Sequence, residues 1–429
     1  MRLTGLWRHS DFLRLWVGQT ASAFGSQVGG LAMDFTAVIW LGATPLEISV
    51  LAACRLVPGF AVGLPAGAWV DRLHRRPILI MADGGRAVAL FSVPIAAVLG
   101  WLTIEQLYMV ALTTSALGIF FDTAYEAYLP TLVERDELVE GNAKLASTAS
   151  LSEVGAFGVS GWLVQLFSGP GAILVDATSF IFSALSIWRI RSPEPPLASM
   201  GERQHILREV QEGLKLITSS AILRTLAMTN VTLNFSSRMV GVTYLLYLNR
   251  QLGFEPGVLG MIFAVGGITG LAGIVVAGKS AWFGGLGPAL ILASFISGVG
   301  ILFMPLAASV SVIGVAFLLL NQVITDPAWA FYDVNMVSLR QSITPDRLLG
   351  RMNASMRFLD FGAMLAGSFA GGLLGQSIGL RETLFMAAGM MFVASLLLLV
   401  SPIARLREIP PPIEMSRGTE PDLVRDHLV

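Results

Sequence analysis

The sequence predicts an all-α membrane protein whose twelve transmembrane helices form two pseudo-symmetric six-helix bundles. Hydrophobic residues make up 54% of the 429 residues and charged residues only 13%, whereas a soluble protein of this length needs a charged surface. The apolar residues fall into about twelve runs, each long enough to cross a bilayer. The two halves of the chain also carry similar polar positions in the same order. These three observations together predict the fold class.

The predicted spans follow one another with short polar links between them. The first run continues to Leu41, which is too long for the apolar region of a signal peptide. An even number of spans places both termini on one side, and the basic residues of the links concentrate there, so the positive-inside rule assigns that side to the cytoplasm. We therefore expect a multi-pass protein of the plasma membrane with both termini in the cytoplasm. The spans are residues 12–41, 46–70, 77–99, 105–129, 142–166, 171–190, 221–249, 256–278, 288–308, 311–335, 352–378 and 383–404.

The link between the second and third spans concentrates charge in a very short segment. It reads Gly67-Ala-Trp-Val-Asp71-Arg72-Leu-His-Arg75-Arg76. Gly67 lets the two helices pack closely, and Asp71, at the end of one helix, can pair with the arginines beside it. We interpret the link as a conformational hinge loop, formed by Gly67, Asp71, Arg72, Arg75 and Arg76.

The composition changes between the sixth and seventh spans. Ser192-Pro-Glu-Pro-Pro196 breaks the helical pattern. Within 202–218, apolar residues then recur at helical spacing against a charged face, which predicts an amphipathic helix on the cytoplasmic surface. We divide the chain into an N-terminal bundle (1–190), a linker with the amphipathic helix (191–220), a C-terminal bundle (221–404) and a cytoplasmic tail (405–429).

The two halves contain a weak parallel repeat. Asp122 lies twenty residues before Asn142, and Asp333 lies twenty before Asn353. A short polar loop follows each aspartate, and a glycine-rich span follows each loop, at 155–161 and 367–372. A repeat of six plus six spans is typical of two-lobed secondary transporters.

Four spans carry polar residues along one face at membrane depth, where ionisable side chains are costly and usually face a cavity or a partner. On the fourth span, Gly118, Asp122 and Glu126 are spaced i, i+4 and i+8, which places them on one helical face. The other stripes are Gln19, Ser26, Gly30 and Asp34 on the first span, Asn230, Asn234 and Arg238 on the seventh, and Gln322, Asp326, Trp329 and Asp333 on the tenth.

The carboxylates in these stripes are candidate proton-coupling residues, because a desolvated carboxylate can bind and release a proton near neutral pH. Asp34 and Asp326 lie deepest, and we assign them to the cavity. Asp122, Glu126 and Asp333 lie toward the cytoplasmic ends, where each either binds a proton or pairs with a loop arginine to latch a closed state. The candidate substrate cavity consists of Gln19, Ser26, Asn230, Asn234, Arg238, Gln322 and Trp329.

Other charged residues in the spans are expected to be structural or self-neutralised. Arg238 is the candidate to neutralise a cavity carboxylate or to meet an anionic substrate. Asp83 with Arg86, and Arg357 with Asp360, are spaced i, i+3 and are expected to pair. The isolated residues Asp176 and Arg55 are assigned structural roles.

The link at 67–76 resembles the signature loop of the major facilitator superfamily, except that His74 replaces the usual glycine. The segments at 55–58, 83–86 and 120–130 are similar to the third drug:proton antiporter subfamily, which includes macrolide-efflux and enterobactin-exporter proteins. The resemblance implies that the first, fourth, seventh and tenth spans line a central cavity. It also implies proton-coupled efflux of a drug, antibiotic or siderophore-like amphiphile by alternating access. Proton-coupled uptake of a small metabolite by a symporter is the alternative.

Several other classes do not fit the sequence. Net charge is −1, which gives no electrostatic basis for nucleic-acid binding. The string Gly273-Ile-Val-Val-Ala-Gly278-Lys279-Ser280 matches a nucleotide-binding loop, but it lies at the end of an apolar span rather than between a strand and a helix. One cysteine and four scattered histidines do not predict a metal site. We expect a monomeric non-enzyme without metal or cofactor, whose partners are a small-molecule substrate, protons and the lipid bilayer.

Overall fold

The computed structural model of the protein describes residues 5–62, 69–70, 72–135, 137–194 and 206–411. Within these residues all regular structure is helical, which confirms the predicted class. Two hinge-loop residues, Gly67 and Asp71, lie outside the described residues. So do residues 202–205 of the predicted amphipathic helix and residues 412–429 of the predicted tail.

The N-terminal half contains six helices at the predicted positions. Ser168, with φ of 65°, interrupts a helical run over Leu138–Trp188 and divides it into two helices. The break falls in Ser-Gly-Pro-Gly at 168–171, because proline and glycine there end one helix and begin the next. The helices are α1 (Ser10–Phe35), α2 (Pro45–Ala61), α3 (Arg75–Val98), α4 (Ile104–Leu132), α5 (138–167) and α6 (169–188).

The C-terminal half follows a short helix, α7 (Ile206–Ser219). Leu216 and Ile217 of α7 are buried, and Glu212 forms an ion pair with Arg351 at the start of α12. The predicted amphipathic helix is therefore present, and it packs on the C-terminal half. The helices of this half are α8 (Ala221–Leu246), α9 (Pro256–Val276), α10 (Leu286–Leu306), α11 (Val312–Ile343), α12 (Leu349–Ser377) and α13 (Leu380–Leu399).

The two halves repeat with an offset of 211 residues at five of the six pairs of helix starts, and of 208 residues between the starts of α4 and α11. Helix starts such as Pro45 and Pro256, or Leu138 and Leu349, are separated by this distance. Both α1 and α8 end in one π-helical turn, and a Leu-Gly pair at 41–42 or 252–253 follows each turn. The pseudo-symmetry predicted from a few polar residues therefore extends to the helix boundaries.

Eight helices in the described residues are long and apolar enough to span a membrane, and one of them is the run that contains both α5 and α6. The described part of α2 has only 17 residues. The other two predicted spans that do not meet this apolar criterion are α1 and α8, whose polar stripes lower their mean hydropathy. Together these helices account for the twelve spans, and α7 is an additional short helix between the two halves.

The two halves meet along two helix pairs, α5 with α9 and α2 with α12. Gly161 lies so close to the backbone of Gly260 that a β-carbon on either residue would collide with the other helix. We call the side with the start of α1 and the end of α13 the terminal face, and the side with links 41–44 and 252–255 the opposite face. Between described residues, three hydrogen bonds join the halves, and all lie at the opposite face. Arg250 Nη2 donates to Val38 O (2.7 Å), Gln165 Nε2 donates to Glu255 Oε2 (2.9 Å), and Gly257 N donates to Gln165 Oε1 (3.0 Å).

Candidate functional site

An ion pair between α1 and α2 holds one of the two deep carboxylates. Arg55 Nη2 lies 2.8 Å from Asp34 Oδ1, and Arg55 Nη1 donates to Asp34 Oδ2 at 3.2 Å. This two-point geometry is the strong form of an arginine–carboxylate contact. Both side chains are about a third exposed (33% and 31%), so the pair is accessible from a polar space. Asp34 is thus neutralised by Arg55, to which the sequence analysis had assigned only a structural role.

Arg238 of α8 is the counterpart from the other half. It is exposed, and it lies within electrostatic range of both Asp34 and Arg55. The polar stripes of α1 and α8 therefore approach each other across the boundary between the halves. Arg238 lies near Asp34, which is already paired with Arg55. The positive charge of Arg238 is therefore available to another group, such as a substrate.

Asp326 of α11 has a different environment. It is half-buried, and no hydrogen bond or ion pair joins it to another described residue. Its carboxyl packs against Gly266 of α9, where a β-carbon would collide with Asp326 Oδ2 and Gln322 Nε2. The hydroxyl of Tyr244 on α8 is also buried without a partner and lies within electrostatic range. Asp326 is therefore a half-buried carboxyl group near two uncharged polar side chains, and no cation among the described residues is bonded to it.

The asparagines of α8 bind a carboxylate that the sequence analysis had paired elsewhere. Asn230 Nδ2 donates to Asp360 Oδ1 of α12, and Asn234 Nδ2 donates to the same oxygen at 3.3 Å. Arg357, the predicted partner of Asp360, makes no ion pair with it among the described residues. Asp333 of α11 is exposed and lies within electrostatic range of Asp360. The stripes of α8 and α11 thus meet α12 toward the terminal face.

The stripe of α4 is open on one side. Asp122 and Glu126 are both exposed and lie one helical turn apart. On α1, Ser26 is exposed, whereas Gln19 is half-buried with no partner for its Oε1 among the described residues. Trp329 of α11 is half-buried and packs against the main hydrophobic core.

The basic residues of the hinge loop bind the segment that leaves α6. The carboxylate of Glu194 accepts hydrogen bonds from the backbone N–H groups of Arg75 (2.8 Å) and Arg76 (2.7 Å), so it caps the first turn of α3. The guanidinium of Arg76 donates to the carbonyls of Trp188 (2.5 Å) and Ile187 (3.3 Å). Arg72 is exposed. Glu194 was not among the predicted site residues, and its position in a Pro-Glu-Pro sequence after the last helix of the half gave no helical pattern to indicate it.

Comparison with known proteins places these features in context. A profile of a family described as transmembrane secretion effector matches residues 5–417. The chain is 25% identical over 394 residues to the multidrug efflux pump Tap of Mycolicibacterium fortuitum, which covers 89% of this chain and 93% of Tap. It is 23% identical over 410 residues to the enterobactin exporter EntS of Escherichia coli O157:H7, with 90% and 94% covered. Its fold is similar to the crystal structure of a bacterial homologue of the iron transporter ferroportin in an inward-facing state, with a TM-score of 0.72, 16% identity, and 92% and 99% of the two chains covered.

Proposed function

Because the chain belongs to the transmembrane secretion effector family of the major facilitator superfamily, we propose that it exports an amphiphilic small molecule in exchange for protons. Family membership makes it a multi-pass membrane transporter, and the transporters to which it is similar imply a small-molecule substrate. Export is supported by the two relatives, one named a multidrug efflux pump and the other an enterobactin exporter.

The observation that carries the proton coupling is the environment of Asp326. A carboxylate that is desolvated and has no cation partner favours its protonated form. The negative charge of Asp326 is then neutralised by a bound proton. Asp326 releases this proton when the cavity opens to water of higher pH or when a cationic substrate binds. We assign the coupling proton in the C-terminal half to Asp326.

The charges on the predicted cavity residues favour a cationic or zwitterionic amphiphile over an anionic one. Asp122, Glu126 and Asp333 are exposed carboxylates, while the exposed cation Arg238 lies opposite an ion pair that is already neutral. Arg86 lies within electrostatic range of Asp122 and Arg340 within range of Asp333. Each of these arginines is shared with a further carboxylate, Asp83 or Asp360, so negative charge remains in excess. Excess negative charge attracts cations and disfavours anions. An anion such as a siderophore would have to bind beside Arg238 alone.

The contacts between the halves support an inward-facing conformation. The hydrogen bonds that join the halves lie at the opposite face, and the glycine contact of α5 with α9 lies toward the same side. We take the terminal face as cytoplasmic because the arginines of the hinge loop lie there. Alternating access then requires these opposite-face contacts to break while the terminal face closes.

The test is transport of ethidium, a lipophilic cation, by purified protein in liposomes. With the lumen acidified relative to the outside, protein in the inverted orientation is expected to accumulate ethidium, and a protonophore should abolish the accumulation. The Asp326→Asn variant should lose the dependence on the pH gradient. The matched control is Glu105→Gln, which removes an exposed carboxylate from the first turn of α4. Accumulation that persists in Asp326→Asn with an unchanged pH dependence would refute the coupling assignment.

A further inference from the structure

A second group of charged residues lies inside the N-terminal half, between α3 and α6. Asp83 is 0% exposed, Asp176 is 5% exposed and Arg86 is 9% exposed. Asp83 and Arg86 lie on α3, and Asp176 lies on α6. None of the three belongs to the stripes that were assigned to the cavity.

Arg86 is bound to Asp83 and enclosed by aromatic rings. Its Nη2 donates to Asp83 Oδ1 at 2.5 Å, as the i, i+3 spacing predicted. The guanidinium carbon lies 4.5 Å from the ring centre of Phe121 and 4.2 Å from that of Phe180. These rings stabilise the cation through its faces. They also restrict its side chain, so Arg86 is committed to Asp83.

Asp176 has no such partner. Its Oδ2 packs against the backbone of α1 at Gly29, where a β-carbon would collide with the carboxyl group. Its Oδ1 is buried and has no hydrogen-bond partner among the described residues, although Ser26 of α1 lies within hydrogen-bonding range of the carboxyl group. Ser183 lies within hydrogen-bonding range of Asp83, so these two side chains can satisfy each other. A buried carboxylate oxygen without a donor is costly unless the carboxyl group is protonated.

The surrounding charges do not neutralise Asp176. From α3, Asp83 and Arg86 face it. From α4, Asp122 lies within electrostatic range of Arg86. From α1, the neighbouring polar side chain is Ser26, which has no charge. Three carboxylates thus share one guanidinium, and a buried carboxylate without a partner becomes neutral by binding a proton.

The second half of the protein folds without this group. At the offset of 211 residues, the positions of Asp83, Arg86 and Asp176 are occupied by Ser294, Ser297 and Ala387. There α10 packs on α13 with a hydrogen bond of 2.9 Å between Ser294 and Ser395. The helix packing of a six-helix half therefore does not require buried charges, and their presence in one half indicates a separate role.

We propose that Asp176 is a second proton-binding site, beside the Asp83–Arg86 pair in the N-terminal half. Its part in transport rests on the proposed proton-coupled export, whereas proton binding at Asp176 does not.

The test is infrared spectroscopy of the purified protein in lipid bilayers, because protonated carboxylic acids have a carbonyl band that carboxylates lack. At neutral pH the wild type should show this band, and Asp176→Asn should lose the contribution of one carboxylic acid. Glu105→Gln should leave the band unchanged because an exposed carboxylate is ionised at this pH.

The outcomes separate this proposal from the proposed function. An unchanged band in Asp176→Asn overturns the site. If Asp176→Asn does not fold, the Asp326→Asn variant provides the second test, because it removes the proton proposed for the C-terminal half and leaves Asp176 unchanged. If Asp326→Asn shows no carboxylic acid band, Asp176 does not carry a proton and the site is overturned. The infrared band can be lost in Asp176→Asn even if the wild-type protein shows no proton-driven transport. That pair of results would support the proton site at Asp176 and refute the proposed function.

Discussion

Removing the carboxylate of Glu194 should destabilise the N-terminal half. This side chain is 8% exposed and accepts hydrogen bonds from the first two N–H groups of α3, at 2.8 and 2.7 Å. In Glu194→Ala both donors lose their partner, and the positive end of the α3 dipole loses a negative charge. In Glu194→Gln one carbonyl oxygen remains to accept a hydrogen bond, but the charge is lost.

The magnitude follows from these contacts. Loss of a helix N-cap costs about 0.5–2 kcal/mol, and loss of a favourable charge at a helix N-terminus costs about 0.3–1 kcal/mol. Because the side chain is nearly buried, we take the upper part of each range and expect about 2–3 kcal/mol for Glu194→Ala and about 1 kcal/mol for Glu194→Gln. For a folding unit of this size, roughly 2–4 °C of melting temperature corresponds to 1 kcal/mol. The alanine variant should therefore melt roughly 4–12 °C below the wild type.

The assay is thermal unfolding of the detergent-purified protein, followed by tryptophan fluorescence. Trp188, whose carbonyl accepts a hydrogen bond from Arg76, provides a probe beside the altered contact. Glu134→Ala is the matched control, because Glu134 is an exposed carboxylate in the α4–α5 link on the same face. The order expected is control, then Glu194→Gln, then Glu194→Ala, from highest to lowest melting temperature. A melting temperature of Glu194→Ala equal to that of the control would refute the capping role.

Three further perturbations test the site. Asp326→Asn should reduce gradient-driven ethidium uptake to that of protein-free liposomes while ethidium still binds in a fluorescence titration; loss of binding as well would contradict a pure coupling role. Gly161→Leu should overpack the α5–α9 contact by about 1–3 kcal/mol and increase thiol labelling of an Ala264→Cys reporter, which lies at this contact opposite Gly158, in a Cys54→Ala background; unchanged labelling would argue against closure at this contact. Arg55→Gln should leave Asp34 uncompensated and tighten ethidium binding by about 1 kcal/mol, roughly fivefold, and weaker binding would contradict the proposed cation preference.

The features that the sequence predicted are those set by local pattern. The length of each apolar run predicted most span boundaries to within about five residues, but α11 continues to Ile343, eight residues beyond the predicted end at residue 335. The gap predicted between the spans at 142–166 and 171–190 contains Ser168, where the structure divides α5 from α6. Asp83 and Arg86 pair as expected because both residues lie on one helix, three positions apart. The repeat was detectable because Asp122 and Asp333 occupy equivalent positions.

The contacts that the sequence did not predict join different helices. Asp34 binds Arg55 of the next helix rather than the predicted Arg238, because the rotation of α2 relative to α1 decides which cation is nearer. Asp360 is bound by the asparagines of α8 for the same reason. Helical spacing predicts on which side of its helix a residue lies, but it does not predict which neighbouring helix packs against that side. An arginine such as Arg55 in an apolar span does indicate that a partner must exist, and that signal could have directed attention to it.

The assignment of the remaining cavity residues stays a prediction. Asp122, Glu126 and Asp333 are exposed in this conformation, which fits both proposed roles, since a latch residue is unpaired when the face it closes is open. The two roles differ in the other conformation, where a latch residue is paired with an arginine and a proton site is not.

Proton movement driven by substrate tests the central claim most directly. Liposomes that contain the protein, ethidium and a pH-sensitive dye in the lumen are diluted into ethidium-free buffer with no pH gradient. Exchange of substrate for protons moves protons inward as ethidium leaves, whichever way the protein is oriented, so the lumen should become acidic. An alkaline shift would indicate symport, and an unchanged lumenal pH during ethidium efflux would contradict proton coupling altogether.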